Sequence, residues 1–255
     1  MAFLKNIMSA AALIGAFTAG TANAAYIPDT YLGKDTNYGY GDKSTDYSNT
    51  DKIGSSRYEV YGAQVGLTGS ILEVLIDTNF YANDPYEYFG DLFISTNGYN
   101  PVANSSNDFG AIASGPNSIQ GSQAGAPGEI WELAFDTSAM QLLSLDGSEI
   151  LDLGTTKQGQ EVRVNSGGTA IANNQSSFSE EGSVQGLQGS NVLKYTIDLS
   201  FLGQSYFDDP DLAIHWTMFC GNDVFEAPVS EPGSLALLSL GLIGLGAIRR
   251  KSAKR

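Results

Sequence analysis

The segment NVLKYTIDLSFL, residues 191–202, alternates along its length: Leu193, Tyr195, Ile197, Leu199 and Phe201 fall on one face, and Lys194, Thr196, Asp198 and Ser200 on the other. Successive side chains of a strand point to opposite faces, so this order builds one apolar and one wet surface only as a strand. ILEVLIDTNF repeats the pattern, with Leu72, Val74, Ile76 and Phe80 inward and Glu73, Asp77 and Asn79 outward. RYEVYGAQVGL, GDLFIS, EIWELAFDT, QEVRV and LAIHWTMFC read as further strands. In LLSLDGSEILDL the pair Asp146-Gly147 sits between two apolar runs and predicts a hairpin turn, because it accepts positive φ. Long helical periodicity and internal repeats are both missing. The expectation is an all-β chain, an antiparallel, jelly-roll-like β-sandwich forming a single domain over residues 25–228. Residues 97–128 and 165–190 are rich in Gly, Ser, Asn and Gln and poor in strand alternation, so they read as long loops, either solvated and disordered or ligand-binding.

Both ends depart from that pattern. Residues 1–24 hold one lysine, Lys5, then an apolar run from Ile7 to Ala19, then Ala22-Asn23-Ala24. A basic start, a short apolar middle and small residues at the minus-three and minus-one positions make a secretory signal peptide cut by signal peptidase after Ala24. At the other end Gly233 to Ile248 carries no charge. As a helix it spans about 24 Å, the short limit for crossing a bilayer. The cations Arg249, Arg250, Lys251, Lys254 and Arg255 follow it and hold that side in the cytoplasm, leaving residues 25–230 outside the inner membrane.

These ends distort the charge balance. Of 13 Lys and Arg, six lie in them, whereas all 28 acids lie between Asp29 and Glu231. The exported part therefore holds seven cations against 28 anions, which excludes nucleic acid and anionic lipid as partners because phosphate binding needs clustered Lys and Arg. A lone Cys220 rules out an internal disulfide and reads as a small buried residue or a reactive thiol. About 200 exported residues suffice for a core without such staples.

The order of parts at the C-terminus is more specific than any part alone. SEPGS, a Leu/Gly-rich apolar run and RRK resemble the PEP-CTERM sorting signal of bacterial surface proteins, with Ser230 in the place of the usual first proline and Glu231, Pro232 and Gly233 matching the motif. The resemblance covers residues 229–255. It implies recognition and cleavage by an inner-membrane exosortase, residues 233–248 serving as a temporary membrane anchor, and release to the cell surface or exterior. The body, in DKIGSSRYEVYGAQVGLTGSILEVLIDTNF, FGDLFIS and IHWTMFCGNDVFE, resembles a group of exosortase-dependent surface proteins of unassigned function, which implies a secreted β-rich domain and supplies no substrate.

The chemistry in the body is sparse. His215 is the one histidine, and no Gly-x-Ser-x-Gly elbow occurs. Cys220 stands an odd number of positions after His215, on the opposite face if the strand continues. His215 therefore reads as structural, and a zinc or haem site is not expected. GEIWELAFD is similar to the Glu-x-Asp-x-Glu strand of laminarinase-like sandwiches, but Trp131 takes the Asp position and Glu132 stands three after Glu129, so the two acids diverge. The stretch DTNFYANDPYEYFGD gathers Asp77, Asn79, Asp84, Glu87 and Asp91, oxygen ligands suited to calcium, with Asp77, Asn79 and Asp91 the candidate set; Asp208, Asp209 and Asp211 form a second acidic group. Turn formation explains the same residues. Tyr26, Tyr31, Tyr38, Tyr40 and Tyr47 on the N-terminal arm, and Tyr81, Tyr86, Tyr88 and Phe89 in the first acidic loop, either pack along the sandwich or stack on sugar rings. The reading is an exported structural or exopolysaccharide-binding protein of the envelope or matrix, its rivals a secreted polysaccharide hydrolase and a calcium-dependent adhesion module.

Overall fold

The two segments of cleanest alternation pair with each other. In the computed structural model Leu193 lies opposite Ile76, Tyr195 opposite Val74 and Ile197 opposite Leu72, in antiparallel register. The structure describes residues 24–29, 34–35, 39–40, 52, 54–82, 87–98, 131–147, 149–154 and 161–229. The expected signal peptide up to Asn23, the motif residues 230–233, the apolar run 233–248 and nearly all of the 97–128 stretch lie outside them. Among the described residues there is no α-helix, and no helix long and apolar enough to cross a membrane.

The strands are β1 (Ala25–Pro28), β2 (Lys34–Asp35), β3 (Gly39–Tyr40), β4 (Val60–Thr68), β5 (Ile71–Thr78), β6 (Leu92–Ser95), β7 (Leu133–Asp136), β8 (Gln141–Ser144), β9 (Ile150–Leu153), β10 (Glu161–Ser166), β11 (Thr169–Ala170), β12 (Ser177–Gly182), β13 (Asn191–Asp198), β14 (Leu212–Thr217) and β15 (Val224–Val229). They form a five-stranded sheet, β1-β4-β5-β13-β12, a six-stranded sheet, β11-β8-β7-β6-β14-β15, and two ribbons, β9-β10 and β2-β3. Every pairing is antiparallel. Ala24–Ser230 is one compact unit.

The two large sheets face each other across the main core. Leu72, Val74, Ile76, Leu193, Tyr195 and Ile197 come from the first sheet; Ile94, Phe135, Ile214, Trp216 and Phe225 from the second. Each such side chain contributes about 1.5–3 kcal/mol relative to exposure. In the middle the Trp216 indole N–H donates to the Tyr195 hydroxyl at 2.9 Å, joining β14 to β13. The six-stranded sheet is also covered on its outer face. There Phe93, Ala134, Leu143 and Ala213 pack with Trp131 and Leu145 under Leu151 of β9 and Val164 of β10. Burial on both faces is why LFIS and LAIHWT contain no wet alternate position and are buried throughout.

Four sequence expectations are corrected. Residues 165–190 are not one long loop: they hold β11 and β12, and β12 is an edge strand pairing only with β13, its side chains exposed or half-exposed. Apart from Phe178, whose ring packs on Tyr195 at 4.9 Å, its side chains contribute little apolar burial, so the strand shows no apolar alternation. Asp146-Gly147 does turn, with Gly147 at φ 89°, but it makes no hairpin, since β8 belongs to the six-stranded sheet and β9 to the ribbon. The Glu149 carboxylate takes the N–H groups of Asp146 and Gly147, at 2.8 and 2.9 Å, and Leu143, Leu145 and Leu151 share one core, so the chain folds over the sheet. β13 stops at Asp198, and Phe201, in a 3-10 turn, is 43% exposed. β14 stops at Thr217, with residues 218–221 leaving the strand.

Tyr195→Phe leaves the Trp216 N–H buried without its acceptor. The expected loss is about 1–3 kcal/mol of unfolding free energy in urea titration. A loss within measurement error would show that this link carries no stability.

Candidate functional site

Asp77 lies on the outward face of β5, as its place in the alternation requires, yet it is fully buried. Its Oδ2 accepts the Gln188 N–H at 2.9 Å and its Oδ1 the Gly189 N–H at 2.6 Å, while the Tyr26 hydroxyl of β1 stands 3.1 Å from Oδ2 and 3.0 Å from the Tyr61 carbonyl oxygen. Burial, then the Asp77 charge, pushes the Tyr26 phenol up to about 12. Glycine at 189 is required: a Cβ there would collide with the Thr78 carbonyl oxygen and stand 2.7 Å from Asp77 Oδ1. Asn79, next along, accepts the Ser190 N–H at 2.9 Å and donates to the Ser56 carbonyl oxygen at 2.9 Å and the Tyr61 hydroxyl at 3.0 Å. The two residues thus hold the β12–β13 connection and β1 against the five-stranded sheet.

Asp91 belongs to the other sheet, immediately before β6. Oδ1 accepts the Thr137 N–H at 2.9 Å and Oδ2 the Val164 N–H at 2.8 Å, tying the β7–β8 turn and the outer ribbon together. It is 3% exposed, and burial outweighs those donors to push its carboxyl up to about 7. Asp77 and Asn79 are therefore brought together, and Asp91 serves a separate junction. Asp84 and Tyr86 lie outside the described residues; Glu87 pairs with Arg57. Asp208, Asp209 and Asp211 are exposed around a 3-10 turn. Among the described residues no three His, Cys, Asp or Glu side chains are grouped to hold a metal.

His215 is buried on the outer face of β14, directly across from Glu226 of β15, with Nδ1 3.1 Å from Oε2. Nε2 stands 2.8 Å from the Glu161 carbonyl oxygen; since a carbonyl only accepts, this nitrogen carries a proton. Trp131 and Phe93 wall the imidazole at ring distances of 5.5 and 5.8 Å. Cys220 packs in the main core instead, and burial raises its thiol to about 11. Glu161 and Glu226 escaped the sequence reading. Glu226 was findable in principle, as a lone acid in the apolar run VFEAPV. Glu132 accepts from Thr96 N at 2.7 Å and from the Asn97 amide, and Glu129 lies outside the described residues.

One end of the sandwich is built from rings. Phe80, buried after β5, contacts Tyr58, Phe89 and Phe219 at 6.2, 5.7 and 5.9 Å, and Phe219 contacts Tyr88 at 5.9 Å. Apart from Phe80 these rings are partly buried, and Tyr58, Phe89 and Phe219 pack against the main core. The Arg163 guanidinium lies 4.2 Å over the Tyr88 ring and pairs with Asp152 at 2.6 Å; Arg57 bonds Glu87 and the Tyr81 carbonyl oxygen. Of the loop aromatics singled out from sequence, Tyr88 and Phe89 meet here, whereas the Tyr81 hydroxyl donates to the Ser190 carbonyl oxygen. Partly exposed rings beside fixed guanidinium and carboxylate groups suit a ligand with one apolar and one hydroxylated face.

Asp91 makes stability depend on pH. Its pKa is about 7 folded against 3.8 for an ordinary exposed aspartate, so the folded state holds the extra proton between those values. Its contribution is full below about pH 4 and is lost as pH rises through about 7. Asp91→Asn removes that slope, making unfolding free energy across this window less steeply falling by up to about 1.4 kcal/mol per pH unit. A pH-independent loss accompanies it, because the amide nitrogen faces one of the two N–H donors. Parallel pH profiles for the two proteins would refute the assignment.

The model of the PEP-CTERM protein-sorting motif matches residues 228–251, from Pro228 through Glu231-Pro232 and the apolar run to Lys251. No curated protein and no solved structure matches the chain. The C-terminal segment thus carries the PEP-CTERM protein-sorting motif, which supports an exosortase-sorted surface or exported protein, and the folded body is of unassigned function.

Proposed function

We propose that the sandwich is a polysaccharide-binding component of the envelope or extracellular matrix, and that the aromatic end carries the binding. The observation behind this reading is the Arg163–Tyr88 stack beside Tyr58, Phe89 and Phe219. A pyranose presents an apolar C–H face to a ring and hydroxyl groups to flanking charges, and Asp152, Glu87 and Arg57 supply those charges at the same end. An export route ending at the cell surface places such a domain where such chains are abundant. The deficit of cations disfavours strongly anionic polymers and favours neutral or weakly charged glycans.

A screen of the mature protein against matrix polysaccharides, for binding and for release of reducing ends, with and without calcium, tests the proposal. Binding without turnover and without a calcium requirement is expected. Tyr88→Ala weakens it between about twofold and tenfold, the range of one ring contact. Turnover would favour the hydrolase reading, and a strict calcium requirement the adhesion module. Failure to bind any neutral glycan would remove this proposal.

The sorting half of the reading has its own test. Glu231 and Pro232 are the polar residues of the motif, so Glu231→Ala combined with Pro232→Ala is expected to leave a membrane-held precursor of unprocessed mass. Maturation at the wild-type rate, to the wild-type mass, would mean that the motif is not read.

A further inference from the structure

The sorting motif and the folded sheet share two residues. The motif match begins at Pro228, and β15, the outermost strand of the six-stranded sheet, ends at Val229. Val229 lies opposite Leu212 and Pro228 opposite Ala213 on β14. The Val229 side chain is 9% exposed and packs in the main core, whereas Pro228 is exposed and brings no N–H to the ladder. Glu231 and Pro232 follow at once, so no spacer separates the strand from the recognition residues.

A peptide-cutting enzyme holds its substrate extended, with backbone groups free to pair with the cleft, for several residues on the amino side of the bond it breaks. Here those residues are already committed to β14. Resting on the reading that an exosortase processes this motif, we propose that the bond cut lies on the carboxyl side of Val229 and that cutting requires Pro228 and Val229 to lift off β14 first. A cut before Val229 would strip a core side chain from the mature domain. Lifting is confined to the strand end: Pro228 gives little resistance, while Ala227 is buried and Glu226 is held across the strand pair by His215. Fraying of this kind at a terminal edge strand is the low-stability opening expected of a folded domain. In the cut the amide carbon–nitrogen bond breaks. The carbonyl carbon takes the oxygen of water, or the hydroxyl or amine of a surface acceptor, and the departing nitrogen takes the proton that nucleophile releases.

An insertion after Val229 of Gly-Ser-Gly-Ser followed by a second Pro-Val separates the two uses, one copy remaining in the sheet and one heading the motif. In pulse-chase of the full-length precursor in cells that process it, the insertion is expected to mature severalfold faster than wild type. Val229→Ala is expected to speed maturation in the natural chain and to have no effect once the insertion is present, a comparison in which any general loss of stability appears in both backgrounds. Intact mass of the mature protein is expected to place its C-terminus at Val229 or beyond. Equal rates with and without the insertion, or a mature C-terminus before Val229, would overturn the proposal. The Glu231→Ala, Pro232→Ala double variant separates the failures: if it stalls while the insertion is neutral, only the fraying requirement is wrong, and if it matures normally, the sorting reading itself is wrong.

Discussion

A tyrosine and a tryptophan facing each other across the sandwich set the relation between its two sheets. Hydrophobic contact is non-directional, so two apolar faces alone slide over one another at little cost; a buried donor that must find its acceptor does not. The Trp216 N–H to Tyr195 hydroxyl bond fixes β14 over β13, and the same hydroxyl lies 3.3 Å from the Gly90 carbonyl oxygen and 3.4 Å from the Thr137 hydroxyl. Gly90 adjoins Asp91, and Thr137 is one of the two residues whose N–H that acid accepts. The polar link in the main core therefore reaches the junction that pins the outer ribbon. Sheet registration and coverage of the second core depend on one contiguous set of groups.

Buried acids repeat this logic elsewhere. A body with seven cations cannot pair its many carboxylates with opposite charge, and unpaired burial is prohibitive. The structure supplies backbone N–H groups instead. Asp77 accepts from Gln188 and Gly189, Asp91 from Thr137 and Val164, Glu149 from Asp146 and Gly147, and Asp223 from Val60. Each carboxylate joins segments distant in sequence or closes a turn, satisfying donors that no strand partner reaches. The acidity that the composition shows as surface charge is thus partly structural cement.

How much of this was legible follows from what each residue depends on. Leu193, Tyr195 and Ile197 were readable because burial on one face writes itself into a period of two. β12 was not, since an edge strand with mostly exposed side chains is held chiefly by backbone bonds that any sequence can make, with Phe178 as its one ring on the core. Asp146-Gly147 was readable as a turn and misleading as a hairpin: local chemistry fixes the reversal, while the partner of the following strand is chosen by Leu151 and Val164 in a distant core. Asp77 was assigned the correct face and the wrong exposure, because what covers it, Tyr26 and the 188–189 turn, is remote in the chain. At the aromatic end the rings were visible as a cluster around Tyr88, but Arg163 comes from the outer ribbon, and no local pattern joins it to that loop.

Both boundaries of the exported body fall on sheet edges. β1 starts at Ala25, the residue after the expected signal-peptidase site, and occupies one edge of the five-stranded sheet; β15 ends at Val229 on an edge of the six-stranded sheet, where the sorting motif takes over. Edge strands are the elements a sandwich can dock last and release first, since each has a partner on one side only. Central strands at these positions would have partners on both sides, so that opening a chain end would open the main core. Terminal edges confine that opening to a few residues, and the side-chain contacts just inside them, Tyr26 with Asp77 and Glu226 with His215, mark how far the chain can open before the sandwich itself is at stake.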